Sequence, residues 1–391
     1  MHVKSKLTVI ILALAVQTIG QTCSWTRNLF AQTSLNSAER AAIDKLPKVP
    51  SSLNSEFWID RHSAQTVQTK LSMTVTTNSL VAETWVFALP ENPTTPGQVV
   101  HSSSTIPSSK RIRDRSVLAR PILYTKFSAD SEELKRTASI QADSEVELYS
   151  RSLRSGKEFG GKPKNESPQV DLLPELTRKY FLRPTGECDY NNKAFQEWKA
   201  KNELAREETE GEVLFAKRVF QKLVRNYKYV YIPDQNRSAS AICKIDKTDC
   251  GGLSILFSAL MRSEGIPARV LAGRWAKSAK DGELIDGSRY YQYHVIAEFY
   301  ADGVGWVPLD LSSTILHDRT PEKMQYFGQD HGNFVVMHVD TGIDFDSGLF
   351  GKYRNAFLQI PAFWVRGTGT LKDKKVQESW EVVTISSNRS K

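Results

Sequence analysis

TDCGGLSILFSALMRSEGIPARV, running from Thr248 to Val270, decides how the rest of the chain is read. Leu253, Leu256, Phe257, Leu260 and Met261 recur at i, i+3, i+4, i+7 and i+8, which predicts a helix with one apolar face. Thr248 or Asp249 suits the N-cap, Gly265 suits the stop and Pro267 follows it. Cys250 then falls in the first helical turn. A thiolate is the nucleophilic form of cysteine, and a helix N-terminus favours negative charge. Unpaired N–H groups of the first turn also bind an oxyanion, and Gly251 and Gly252 would let a substrate backbone approach. A cysteine in this place serves equally well as a small core residue, so its chemistry depends on partners.

Partners come from a hairpin further on. Residues Tyr290 to Tyr300 read as a strand and Gly305 to Leu309 as its neighbour, with Ala301, Asp302 and Gly303 as a three-residue loop. That register sets residue 300 against 304 and His294 against Asp310, on one face of the sheet. A slip of one residue would send the two side chains to opposite faces. An opposed histidine and aspartate are what a general base and its orienting carboxylate require.

Three motifs now stand in order: Thr248 to Val270, Tyr293-His294-Val295, and Gly305-Trp306-Val307-Pro308-Leu309-Asp310. They resemble the core motifs of the transglutaminase-like superfamily, with 44 residues from cysteine to histidine and 16 from histidine to aspartate. The resemblance covers roughly Leu172 to Asp346. It implies an α+β fold in which a papain-like core carries Cys250 on a helix and His294 and Asp310 on an antiparallel sheet. It also implies acyl transfer or hydrolysis of peptide or protein amides through a cysteine thioester, without a cofactor. Many members of the superfamily have a tryptophan upstream of the cysteine that helps bind the oxyanion. This chain has none between Trp198 and Trp275, which leaves Tyr231 or Gln235 as candidates, and it has Thr248 where glycine is common. The competing reading is a non-catalytic exported protein that holds a peptide or wall polymer in the same cleft.

Around this core the chain divides into three. Residues 1–31 read as a signal peptide: Lys4 and Lys6 precede the apolar run Leu7 to Val16, and Ala31 or a point nearer Gly20 offers a cleavage site. The alternative is a membrane anchor formed by residues 7–20. Residues 32–165 open with an extended lead-in and continue as an antiparallel β domain, rich in Thr, Val and aromatic residues from Thr66 to Leu89. A Gly-, Pro- and Lys-bearing linker from Arg154 to Gln169 ends it. Its outline, with Gln98 after the strands, is similar to the β domain preceding some bacterial members of the superfamily. Residues 166–391 form the catalytic domain, with C-terminal strands at Phe334 to Val339, Ala356 to Ile360 and Trp380 to Ile385.

Loss of Cys23 with the signal leaves Cys188, Cys243 and Cys250, an odd number. Cys188 and Cys243 can then pair in an oxidising compartment, or all three stay reduced. The net charge of +8 is spread along the chain without a nucleic-acid module, so no nucleic acid is expected as partner. An anionic cell-surface polymer fits the charge, beside the peptide or protein substrate. Asp340, Asp344 and Asp346 lie near His331 and His338, but their spacing fits no standard calcium loop. They read as a solvated loop rather than a metal site.

Overall fold

The computed structural model describes residues 35–47, 54, 56–156, 172–232, 234–278, 284–285, 288–289, 293–318 and 324–387. The expected signal segment, with Cys23, and most of the expected linker lie outside these residues.

The helix read from the sequence spans Cys250–Ser263. Gly265 closes it with φ +77°: its N–H donates to the Arg262 carbonyl, and that of Ile266 donates to Met261. These are the two bonds of a Schellman stop. The helix is more enclosed than a one-faced pattern implies, because every residue from Gly251 to Ser263 is buried. One side packs on a four-stranded antiparallel sheet, ordered Gly305–Leu309, Tyr293–Ala301, Ala268–Trp275 and Phe334–Val339. The helices Glu212–Asn226, Ala239–Ile242 and Glu175–Leu182 cover the rest. Leu253, Ile255, Leu256, Phe257, Leu260 and Met261 have no exposed surface, and each contributes about 2 kcal/mol of burial, more than a cap is worth. Packing therefore holds the helix, and the cap sets where it begins.

The hairpin carrying the histidine has a different register from the expected one. Ala301 pairs with Gly305 and Tyr300 with Trp306, so the loop is Asp302 to Val304. Gly303 and Gly305 both have positive φ, +81° and +100°, which places the turn one residue later along the chain. The resulting offset of two residues preserves the face. His294 and Asp310 become diagonal rather than direct neighbours, still on the same side of the sheet.

Two further antiparallel sheets form a β sandwich. In one, Phe57–Thr76 lies between Lys375–Ser387 and Thr137–Ser155, and the far edge of Thr137–Ser155 pairs with Gln98–Ile106 and Gln329–His331. In the other the order is Ala362–Gly369, Leu80–Pro90, Pro121–Ser128 and Lys110–Arg113. Val67, Leu71, Met73 and Val75 alternate inward along the first strand to meet Trp85, Phe87 and Trp380. Val335 and Met337, from the edge of the four-stranded sheet, share this core.

Several expectations are corrected here. The last two strands, Ala362–Gly369 and Lys375–Ser387, pair with N-terminal strands, so a boundary near residue 165 does not divide the chain into the sandwich and the core around the cysteine helix. The long-range pairing involves residues some 300 apart, which no local pattern encodes. The expected lead-in contains a helix, Ser37–Asp44, opened by an Asn36/Glu39 capping box, and the first strand starts at Phe57. Ala356 to Ile360 is not a strand. Cys188 and Cys243 are both free buried thiols.

Two polar devices tie the sandwich to the four-stranded sheet. The fully buried Gln98 donates to the Val336 carbonyl and accepts the Val336 N–H, each at 2.8 Å. Arg151 of the sandwich and Arg269 each reach the buried Glu298 of the histidine strand at 2.6 Å, and Arg151 also binds Asp330 at 2.8 Å.

Candidate active site

Asp249 caps the cysteine helix by accepting the Gly252 N–H at 3.1 Å. Its buried carboxylate is in turn held by the Arg237 guanidinium, with Nε 3.0 and 2.9 Å from the two oxygens. The N–H groups of Cys250 and Gly251 belong to the first turn, where a helix supplies no acceptor. Cys250, half-buried, stands at the edge of the core rather than in it.

His294 is buried on the adjoining strand, its Nε2 2.6 Å from Asp310 Oδ2. Trp275 stacks on the imidazole with centroids 4.4 Å apart, and Phe334 meets it edge-on at 5.9 Å, so the ring plane is fixed from two sides. Burial works against the imidazolium. The charge and hydrogen bond of Asp310, with a further hydrogen bond to Cys250, outweigh burial and hold the His294 pKa up at about 10. With Nε2 engaged by Asp310, Nδ1 is the nitrogen left for the sulfur.

Asp310 follows the strand Gly305–Leu309 and caps the short helix Leu311–Ser313. Besides His294, it accepts the Ser312 hydroxyl at 2.8 Å, the Ser313 N–H at 2.9 Å and the Ser313 hydroxyl at 2.6 Å. Burial alone would raise its pKa; His294 and Ser313 bring it down to about 2.

The structure adds a residue that sequence reasoning missed. Tyr229 lies beside Cys250, and burial, together with the neighbouring Cys250 and Asp249, pushes its hydroxyl pKa well above the ordinary value. A parallel pairing of Lys228–Tyr229 with Lys247–Thr248 brings it there, beside the N-cap. The sequence offered Tyr231 and Gln235 as oxyanion donors. Tyr231 is 54% exposed, and Gln235 accepts the Thr248 hydroxyl at 2.8 Å through its side-chain oxygen. The aromatic run from Tyr227 to Tyr231 carried the signal, but choosing among its three tyrosines needed the Tyr229–Thr248 register.

Gly251 and Gly252 are packed rather than open to substrate backbone. A Cβ on Gly251 would meet the Phe357 ring at 2.9 Å, and one on Gly252 would collide with the Thr248 side chain. Thr248 thus fills the space beside Gly252. The acidic stretch near His338 is not a solvated loop throughout: Asp340 is fully buried, bound by Arg262 at 2.8 Å and Arg183 at 3.5 Å. His338 is neutral between the Asp340 carbonyl and the Leu358 N–H. Among the described residues no group of three or more His, Cys, Asp or Glu side chains is placed to hold a metal.

Comparison with known proteins matches residues 199–311 to the model of the transglutaminase-like superfamily. No curated protein sequence matches the chain. Among solved structures, a proposed cysteine protease from Cytophaga hutchinsonii is 14% identical, with TM-score 0.49, over 85% of this chain and 94% of that one. The periplasmic domain of TgpA from Pseudomonas aeruginosa is 11% identical, with TM-score 0.32, over 66% of this chain and 93% of that one. The matched segment begins within the helix Lys193–Lys201 and ends one residue after Asp310. Residues 199–311 belong to the transglutaminase-like superfamily, and Cys250, His294 and Asp310 all lie within them.

Proposed function

We propose that Cys250, His294 and Asp310 act as nucleophile, base and orienting carboxylate in acyl transfer or hydrolysis at a peptide or protein amide. The observation that carries this reading is the buried His294–Asp310 pair, Nε2 2.6 Å from Oδ2, on the strand packed against the helix whose first turn bears Cys250. The Cys250 proton passes to His294 Nδ1, and the ionised Asp310 stabilises the imidazolium. The thiolate attacks the carbonyl carbon. The Tyr229 hydroxyl and the N–H groups of the first helical turn are the donors at hand for the oxyanion. The C–N bond then breaks, the leaving amine or ammonia takes the proton from His294, and a thioester remains. An incoming lysine amine or water gives a proton to His294 and attacks the thioester, which releases Cys250.

A lysine amine makes the reaction a crosslink, and water makes it a hydrolysis. Export of the protein, on the pattern of residues 1–31, belongs to the same reading; among the described residues no helix is long and apolar enough to cross a membrane. An anionic cell-surface polymer is the further partner that the charge favours.

Iodoacetamide labelling of Cys250, read by peptide mass spectrometry across pH in wild type and His294→Ala, tests the pair. Rapid wild-type labelling below about pH 7, slowed strongly by the substitution, is the expected result. Coincident profiles that rise only near about pH 8.5 would leave a binding protein. A glutamine peptide offered with a fluorescent primary amine separates the two outcomes: incorporated amine marks transfer, and release of ammonia without incorporation marks hydrolysis.

A further inference from the structure

The chain crosses the active site once more, after the segment that the superfamily model matches. Between the strands Lys352–Asn355 and Ala362–Gly369, residues Phe357, Leu358 and Gln359 run past both halves of the site. The Phe357 ring lies against Gly251 of the cysteine helix. The Leu358 N–H donates to His338 Nε2 at 3.1 Å. The Gln359 side-chain amide makes two bonds from one nitrogen, to the His294 carbonyl at 2.8 Å and to the Gly273 carbonyl at 2.7 Å. Gly273 is the ladder partner of His294. One amide therefore grips the histidine's own backbone and the strand beside it.

The main chain of Gln359 is itself held. Arg274, fully buried, donates to the Gln359 carbonyl through Nε at 2.9 Å and Nη2 at 2.7 Å, and forms an ion pair with Glu378. Tyr293, the neighbour of His294, donates to the same Glu378 at 2.8 Å. Glu378 lies on Lys375–Ser387, the strand that pairs with the first strand of the sandwich. Anchorage thus runs from the sandwich through Glu378 and Arg274 to Gln359, and from there to the backbone of His294.

We propose that Gln359 is a positioning residue that fixes the His294 main chain relative to Cys250, so that the β sandwich supplies part of the alignment of the site. The proposal rests on His294 acting as the base. The imidazole's own contacts, Trp275 and Asp310, set its plane; Gln359 sets where along the strand the ring is carried. Phe357, two residues away, bears on the cysteine helix, so this short segment spans the gap that the proton crosses. The superfamily match stops at Leu311, so the Gln359 donor lies outside it.

The test compares wild type, His294→Ala, Gln359→Met and Gln359→Glu by the pH profile of Cys250 alkylation, with thermal unfolding measured alongside. Methionine keeps the length and removes the donors. Glutamate keeps the shape and donates only when protonated. We expect Gln359→Met to fold and to lose the fast labelling seen at low pH by about 10²-fold, the scale of an ångström of misalignment. Gln359→Glu should recover part of that loss as the pH falls and the carboxyl regains its proton. A purely structural residue would lower the unfolding temperature and leave the labelling profile of the folded protein unchanged. That result overturns the proposal, and so does failure of both variants to fold. Coincident profiles for wild type and His294→Ala would instead overturn the catalytic reading on which it rests, and so the two failures are distinguishable.

Discussion

Asp310→Asn separates the electrostatic part of the site from its packing. The carboxylate accepts from His294, Ser312 and Ser313. In the variant, one oxygen can still accept from Ser312 and from the Ser313 N–H. The new amide nitrogen faces His294 Nε2 and must donate to it. The ring proton is then forced onto Nδ1, where it blocks transfer from Cys250. A tautomer inverted in this way costs about 10⁴ in kcat. The stability change has its own signature. His294 rises from 6.5 to about 10 on folding and Asp310 falls from 3.8 to about 2. The Asp310 displacement is the better measure of the pair, because the His294 rise also contains the bond to Cys250. At 1.36 kcal/mol per pH unit it corresponds to about 2 kcal/mol. The raised histidine contributes stability fully below 6.5 and loses it as pH climbs toward 10; the depressed aspartate contributes above 3.8 and loses it toward 2. Urea unfolding of wild type and variant should therefore differ most between these limits, near about pH 5, and the gap should narrow through about pH 9. A gap that is constant or grows over that range would refute the ion-pair reasoning. Lost neutral hydrogen bonds add only a pH-independent offset.

Tyr229→Phe removes the hydroxyl beside Cys250 without emptying the site; kcat/KM for an amide substrate should drop about 10- to 100-fold, on the scale of a hydrogen bond to a charged group, with little change in unfolding temperature. An unchanged kcat/KM would remove Tyr229 from the mechanism. Arg237→Ala leaves the buried Asp249 uncompensated and should destabilise by about 3 kcal/mol, whereas Arg237→Ala with Asp249→Asn should recover most of that; equal losses in urea unfolding would argue against the pair. Glu298→Gln removes the buried carboxylate that Arg151 and Arg269 share, leaving Arg151 its bond to Asp330, and a loss of about 3 kcal/mol is expected; a loss under about 1 kcal/mol would show that the cluster does not bind the sandwich to the four-stranded sheet.

The cysteine helix was legible because its information is local. The spacing from Leu253 to Met261, the cap at Asp249 and the stop at Gly265 each act within a few residues, and together they put Cys250 at a helix start. The histidine hairpin was legible in outline for a related reason: alternation determines the face, and the face survived a turn displaced by one residue. The helix's complete enclosure, by contrast, depended on three other helices that no heptad-scale pattern announces. Asp340 looked solvated from its neighbours in sequence, yet Arg262 and Arg183 reach it from distant segments.

By itself the sequence determined which residues sit at a helix start, on a strand and at a strand end, because caps, turns and periodicity are short-range physics. It thereby determined the identity of the three residues proposed for catalysis. Only the tertiary structure decided what surrounds them. Tyr229 is set beside Cys250 by a parallel pairing with Thr248. Trp275 and Phe334 clamp the imidazole because two strands flank each other. Gln359 holds the His294 backbone because the final strands return to pair with the first. Pairings across hundreds of residues are selected by total burial and by satisfied buried polar groups, and those quantities exist only once the whole chain has closed on itself.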